Sequence, residues 1–379
     1  MTQKGVWDLQ DVRDEYLAGN WSYSGGAGGP FQLYLLGANT NGQLGQNDKV
    51  DRSSPIQVPG TQWLNAAGGS TANKGIKTDG TLWTWGFNTE PTYLGHNDTV
   101  PYSSPKQVPG TQWSNFIHAG YSTNGAVKSD GTLWMWGGNS QGALGQNDKV
   151  DRSSPTQIPG TQWSYGVAGG ANTVMAIKTD GTAWAWGKNT DGYLGQNDRV
   201  NRSSPVQIPG TWSLISSSYW HRAGIKTDGT LWTWGFDRDG GLGHNIINTA
   251  RSSPTQLPGT QWSHVSSGSY SGLLATKTDG TLYAWGEGGQ GQLGLGHNQN
   301  RSSPTQLPGT QWSSDVEMSI YSSFCTKTDG TLWAWGANSD GQLLNGDEVQ
   351  RSAPIQVTGA GWVAKPMGRQ SNYIYLKSS

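Results

Sequence analysis

The sequence predicts an all-β protein, a closed seven-bladed β-propeller over residues 31–379, preceded by a short N-terminal helix. Three observations predict it. A unit of about 50 residues recurs along the chain, marked by Ser-Ser-Pro at Ser53, Ser103, Ser153, Ser203, Ser252 and Ser302 and by Ser-Ala-Pro at Ser352. Lys-Thr/Ser-Asp-Gly-Thr recurs at Lys77, Lys128, Lys178, Lys226, Lys277 and Lys327, each copy followed by a strand-like run such as LWTWG. Composition is the third: 57 glycines and 21 tryptophans against 5 phenylalanines and 5 methionines describe tight turns and aromatic strands.

In chain order, the first element is KGVWDLQDVRDEYLAGNW. Asp8 is its N-cap, Leu9, Val12, Tyr16 and Leu17 share one face, and Gly19 stops it. So short a helix does not hold alone in water. Residues 1–21 are therefore expected to dock, with Trp7 and Trp21 at their ends, either on the propeller itself or on another protein. Residues 22–30 are rich in Gly and Ser and read as a tether.

The repeats follow. Asp-Gly between two strand-like runs is a hairpin signal, because Gly accepts the positive φ of the tight turn. Alternation in LWTWG puts Trp83 and Trp85 on one face and Leu82 and Thr84 on the other, so both faces of a blade are expected to be buried. Of the 21 tryptophans, 18 stand in regular repeat slots and are expected to be core. The seventh lysine turn is supplied by the chain ends: YIYLKSS carries Lys377 in the lysine slot, and PFQLYLLG, residues 30–37, is the strand leaving it. Sharing one blade between the termini closes the ring and removes its free edges.

A formal net charge of −1 with 13% charged residues argues against nucleic acid and against an anionic membrane surface. No apolar run has the length of a membrane span or a signal peptide, so the chain is expected to be made in a cytoplasm. Cys325 is the single cysteine and excludes an intrachain disulfide. Asp48 and Asp51 are interleaved with Lys49 and Arg52, which reads as an ion-paired turn rather than a calcium loop. Neither HExxH nor GxSxG occurs, and no enzyme, cofactor or metal site is expected.

LWTWGFN, GGNSQGALGQND and RSSPTQIPGTQW resemble the RCC1 (regulator of chromosome condensation) repeat over residues 31–379. The resemblance implies seven four-stranded blades and a ring of loop tips around one mouth of the central channel. It says little about function, since propellers host exchange factors, inhibitors and binders. The units keep nearly equal length and there is no basic tail, so guanine-nucleotide exchange is a remote alternative.

Where the copies differ is six to eleven residues after the tryptophan that follows Pro-Gly-Thr, at the expected tips. These carry Tyr121, Asn124, Tyr219, Trp220, His221, Arg222, Tyr270, Tyr321, Arg369 and Tyr373, mixed with Ser, Gly and Asn. Large aromatics with small adaptable polar residues make up antibody paratopes, and these residues are the expected binding site. SSSYWHRAG, residues 216–224, departs furthest from the other copies and is the expected hot spot.

The N-terminal segment is also similar to leader segments of tailed-phage structural proteins. That similarity implies a non-enzymatic virion appendage, a tail fibre, tail tip or surface decoration. Residues 1–21 would dock on another virion subunit, and one propeller face would bind a host-surface glycan or protein. The alternative is a cellular interaction propeller, an inhibitor or adaptor.

Overall fold

A computed structural model of the chain describes residues 31–68, 71–90, 93–118, 122–169, 172–268, 270–339, 341–357, 362–363 and 372–378. The expected N-terminal helix, with Trp7, Leu9, Val12, Tyr16, Leu17 and Trp21, and the tether lie outside these residues. Every regular element among the described residues is a β-strand, from Phe31–Gly37 to Asn372–Ser378.

The unit is a four-stranded antiparallel meander. In the most divergent copy, residues 212–217 pair with His221–Lys226 (Ser217↔Arg222), that strand with Leu231–Phe236 (His221↔Gly235), and the last with Ala250–Gln256 (Gly235↔Arg251). The same order builds the separate four-stranded sheets that start at Trp262 and at Trp312. Two larger sheets, of eleven and eight strands, arise where neighbouring meanders join: Gly166↔Ile117 is a parallel bridge between first strands, Arg202–Ser217 runs on from the fourth strand of one meander into the first of the next, and Phe31, opening a third strand, pairs with Trp63, opening the next first strand. The sheets stand in a ring as a β-propeller. Phe31–Gly37 pairs along its whole length with the C-terminal strand, from Phe31↔Ser378 to Gly37↔Asn372, so the two ends of the chain are zipped together.

First strands lie innermost. Residues 212–217, Trp262–Ser267 and Trp312–Met318 run side by side, stitched by Ser267 N to Ser216 Oγ (2.9 Å) and Met318 N to Ser266 Oγ (3.0 Å). Successive strands step outward, so chain reversals fall on two faces. One face carries the Lys-Thr-Asp-Gly turns. The opposite face carries the tips, between first and second strands, and the long loops between third and fourth strands.

The core sits between blades. Leu214, Ala223, Ile225, Leu231 and Leu257 of one meander pack with Trp262, Val265, Leu273, Ala275 and Trp285 of the next. Burial of each large apolar side chain contributes about 1.5–3 kcal/mol. The seams are also hydrogen-bonded. Trp85 Nε1 donates to Gln43 O (2.8 Å), Trp234 Nε1 to Tyr193 O (2.9 Å) and Trp335 Nε1 to Gln292 O (2.9 Å), each reaching the loop of the preceding blade. The tryptophan of each run that lies nearer its Gly is thus core, while its partner two residues earlier is half-buried and does something else.

That second tryptophan belongs to the turn face. Asp79 Oδ1 accepts from Thr81 N and Oγ1, and Thr81 Oγ1 accepts from Trp83 Nε1 (2.8 Å), with Gly80 at φ 75° closing the turn. Lys77 Nζ then lies 4.3 Å from the centre of the Trp83 ring and 5.1 Å from that of Trp63. Lys128, Lys178, Lys226, Lys277 and Lys327 are held between two aromatic rings in the same way. The repeated lysine is a cation–π fastener, worth about 0.5–1 kcal/mol per exposed contact.

The Asp48 loop is ion-paired as the sequence indicates. Asp48 accepts from Val50 N and Asn39 Nδ2 and pairs with Arg52 at 2.7 Å, while Asp51 Oδ1 caps Asn39 N. Cys325 is buried, and burial pushes its thiol well above the ordinary range.

Candidate functional site

The tip of the divergent copy is built by Ser218. Its Oγ accepts from His221 N (2.9 Å) and Trp220 N (3.2 Å), and Phe236 N donates to Trp220 O (2.8 Å). That carbonyl passes so close to Gly235 that a Cβ there would lie 2.9 Å from it, at a φ of 100°. The reversal is tight enough to turn Tyr219 and Trp220 out of the blade and His221 and Arg222 back into it.

Tyr219, Trp220 and Tyr270 are half-buried and Tyr321 is 38% exposed. Their rings join across three neighbouring blades: Tyr219 to Trp220 at 4.6 Å, Tyr219 to Tyr270 at 6.4 Å, and Tyr270 to Tyr321 at 6.0 Å with planes only 17° apart. Trp220 also rests on Phe236 (5.8 Å), and the Arg238 guanidinium lies 5.3 Å from its ring centre.

Carboxylates flank this row from the long loops. Asp239 accepts from Ser271 Oγ (3.1 Å) and Asn300 Nδ2 (3.3 Å) and pairs with Arg238 at 3.4 Å; its φ of 57° holds the loop in a left-handed turn. Burial and the Asp239 charge raise the Glu287 carboxyl above its ordinary value. Burial and the Glu287 charge raise the Tyr321 hydroxyl in turn.

Three expected contact residues turn away from this surface. His221 and Arg222 are fully buried. The His221 ring lies 3.0 Å from Ser218 Oγ and against Gly241, and burial with the Arg222 charge lowers it to about 3, so it is neutral at any ordinary pH. Arg222 donates to Ser218 O (2.7 Å) and His221 O (2.9 Å) and stacks on Tyr193 of the preceding blade at 4.6 Å. Asn124 turns inward likewise, donating to Tyr93 O (3.0 Å). The physical reason is one slot. Counting back four from the turn lysine gives Asn73, Asn124, Arg222 and Ser323, and each contacts the loop of the preceding blade, Asn73 through Gln43 O (2.6 Å) and Ser323 through Gln292 O (2.7 Å). Tyr373 occupies that slot by sequence, and its backbone is in register with Leu36 in the terminal strand pair. Tyr121 and Arg369 lie outside the described residues.

Sequence reasoning missed Phe236, Arg238, Asp239 and Glu287. A signal was present at one position: Asp237 replaces the Asn of the Gly-x-Asn-x-x-Gly pattern of the copies around Asn39, Asn139 and Asn189, in the same unit as the divergent tip, with Arg238 and Asp239 following it at the free positions.

Solved structures with this arrangement include human WBSCR16 (TM-score 0.77, 18% identity, covering 92% of this chain and 100% of that one). Prp20p from Saccharomyces cerevisiae aligns at TM-score 0.81 and 16% identity over 100% of this chain and 96% of its own. No curated protein sequence matches the chain. The model of the RCC1-like domain matches residues 32–372, nearly the whole span of repeats, and the chain therefore belongs to the RCC1-like domain family.

Proposed function

We propose that the chain is a non-enzymatic recognition propeller, its strands grouped as seven quartets in a closed ring, whose tip face binds a partner through Tyr219, Trp220, Tyr270 and Tyr321. One observation carries the reading: aromatic side chains from three separate blades converge into one partly exposed row on the face where the repeats differ. Identical packing demands keep the blades alike, and a row of this kind adds nothing to them. Rigid aromatics lose little side-chain entropy on binding and dominate hot spots. The Prp20p structure is described together with binding to Gsp1p and histones, and a second yeast RCC1 (Prp20) structure with Kap60, which favours a protein as the occupant.

We further propose that residues 1–21 attach this propeller to a virion appendage and that residues 22–30 tether it, with a host-surface protein or glycan as target. Mass spectrometry of purified particles tests the location. Particles lacking the chain would overturn it in favour of a cellular adaptor or inhibitor. Tyr219→Ala and Tyr321→Ala test the face: both are expected to abolish target capture while leaving the fold intact, and undiminished capture refutes the assignment.

A further inference from the structure

The tip face holds two aromatic and carboxylate constellations side by side, and they differ in one respect. At the first, Trp220 carries the Arg238 guanidinium over its ring at 5.3 Å, and Arg238 pairs with Asp239. At the second, Tyr270 and Tyr321 lie nearly parallel at 6.0 Å, with the Glu287 carboxylate close enough to raise the Tyr321 hydroxyl. Among the described residues no lysine or arginine lies over either ring, and Glu287 has no ion-pair partner within 4.0 Å. The turn face shows what this chain does with paired rings. Lys77, Lys128, Lys178, Lys226, Lys277 and Lys327 each sit between two of them.

Resting on the recognition-face reading, we propose that the Tyr270–Tyr321 pair with Glu287 receives a cationic side chain, a guanidinium or ammonium group presented by a protein partner. Charge complementarity favours this occupant. Glu287 and Asp239 repel each other across Ser271, which donates to Asp239 at 3.1 Å, and among the described residues Arg238 is the one cation whose charge acts on Glu287. A cation relieves that repulsion and meets the negative faces of the rings at once. Arginine suits the site better than lysine, because its flat guanidinium stacks on one ring while its edge donates to the carboxylate.

The probe is a fluorescein-labelled peptide of three arginines spaced by Gly-Ser, compared with its lysine and glutamate counterparts by anisotropy on the full chain. The arginine peptide is expected to bind and to weaken as salt rises from low to physiological. It should lose about tenfold in affinity with Glu287→Gln or Tyr321→Ala, and Tyr321→Phe, which keeps the ring, should bind like the parent. Equal binding of the glutamate peptide, an unchanged affinity in Glu287→Gln, or no binding of the arginine peptide overturns the proposal. An oligosaccharide such as chitohexaose that binds and is lost in Tyr321→Ala would overturn the cation while leaving the recognition face standing. Target capture that survives Tyr219→Ala and Tyr321→Ala would remove the face itself.

Discussion

Replacing Trp234 by phenylalanine isolates the seam hydrogen bond, because the molecule contains its own control. Trp234 and Trp212 are both fully buried and lie 5.7 Å apart at the same blade seam. Trp234 Nε1 donates to Tyr193 O at 2.9 Å, whereas Trp212 Nε1 is buried with no acceptor. Trading indole for benzyl opens a similar void at either site, costing about 1–2 kcal/mol. At Trp234 it also strands the Tyr193 carbonyl in a dry seam, which adds about 1–3 kcal/mol. At Trp212 it removes an unpaired polar group, which offsets part of the void. Trp234→Phe is therefore expected to be the more destabilising by about 1–3 kcal/mol. Equilibrium urea denaturation of both variants, followed by circular dichroism, measures the difference. If Trp212→Phe costs as much as Trp234→Phe, the seam bonds contribute nothing net and blade adhesion is packing alone.

Three further outcomes follow from the same geometry. Gly241→Ala would place a Cβ 2.7 Å from Ser271 O and 2.8 Å from the His221 ring, so it should destabilise by about 1–3 kcal/mol, read as a lowered urea midpoint. Lys226→Met keeps the stem between Trp212 and Trp232 and removes the charge; a loss of about 1 kcal/mol is expected, and an unchanged midpoint would mean that the stem alone packs. Burial lowers His96 and His244 to about 4 from the ordinary 6.5, so the unfolded chain binds more protons between those values. Their contribution is complete above pH 6.5 and is lost as pH falls toward 4. The double variant His96→Gln/His244→Gln, matching Gln46 in the first copy, should flatten that part of the stability profile, and a profile as steep as the parent's would rule the histidines out.

The repeat was legible because it is written in residues with backbone consequences. Asp-Gly fixes a turn, alternating tryptophans fix a strand, and Lys377 with PFQLYLLG announces which strands meet at the ends. The tip was legible as a place and not as a direction. Tyr219, Trp220, His221 and Arg222 are consecutive, and one hydroxyl, that of Ser218, decides that two face out and two face in. No local pattern states that choice. Asn124 and Arg222 look unrelated as residues, and their common role as seam fasteners emerges only on counting from the turn lysine. Glu287 was invisible for a different reason: it lies on the long loop of the next blade, and proximity between such loops is a property of the ring.

The long loop beside the site carries a charge relocation that makes one last prediction. In the copy before it, Asn189 Nδ2 donates to Asp198, and Asp198 pairs with Arg202 at 2.6 Å. In the divergent copy the amide has become Asp237, the carboxylate position is Ile246, and the arginine remains as Arg251. The acid has moved from the exposed turn to the buried start of the loop. There Asp237 Oδ1 accepts from Leu242 N at 3.0 Å, while Oδ2 is buried without a donor, and burial raises the carboxyl to about 6 despite the Arg251 charge. A raised folded value means that this group supports the fold below its ordinary 3.8 and loses that support as pH rises through 6. Asp237→Asn removes the ionisation and keeps an acceptor for Leu242 N. The variant should match the parent near pH 4 and exceed it in urea midpoint at pH 7.5, opposite in sign to the histidine effect in the same window. A variant weaker than the parent at pH 7.5 would show instead that the Asp237 to Arg251 attraction outweighs the cost of burial, and that the relocated charge holds the loop carrying Arg238 and Asp239 in place.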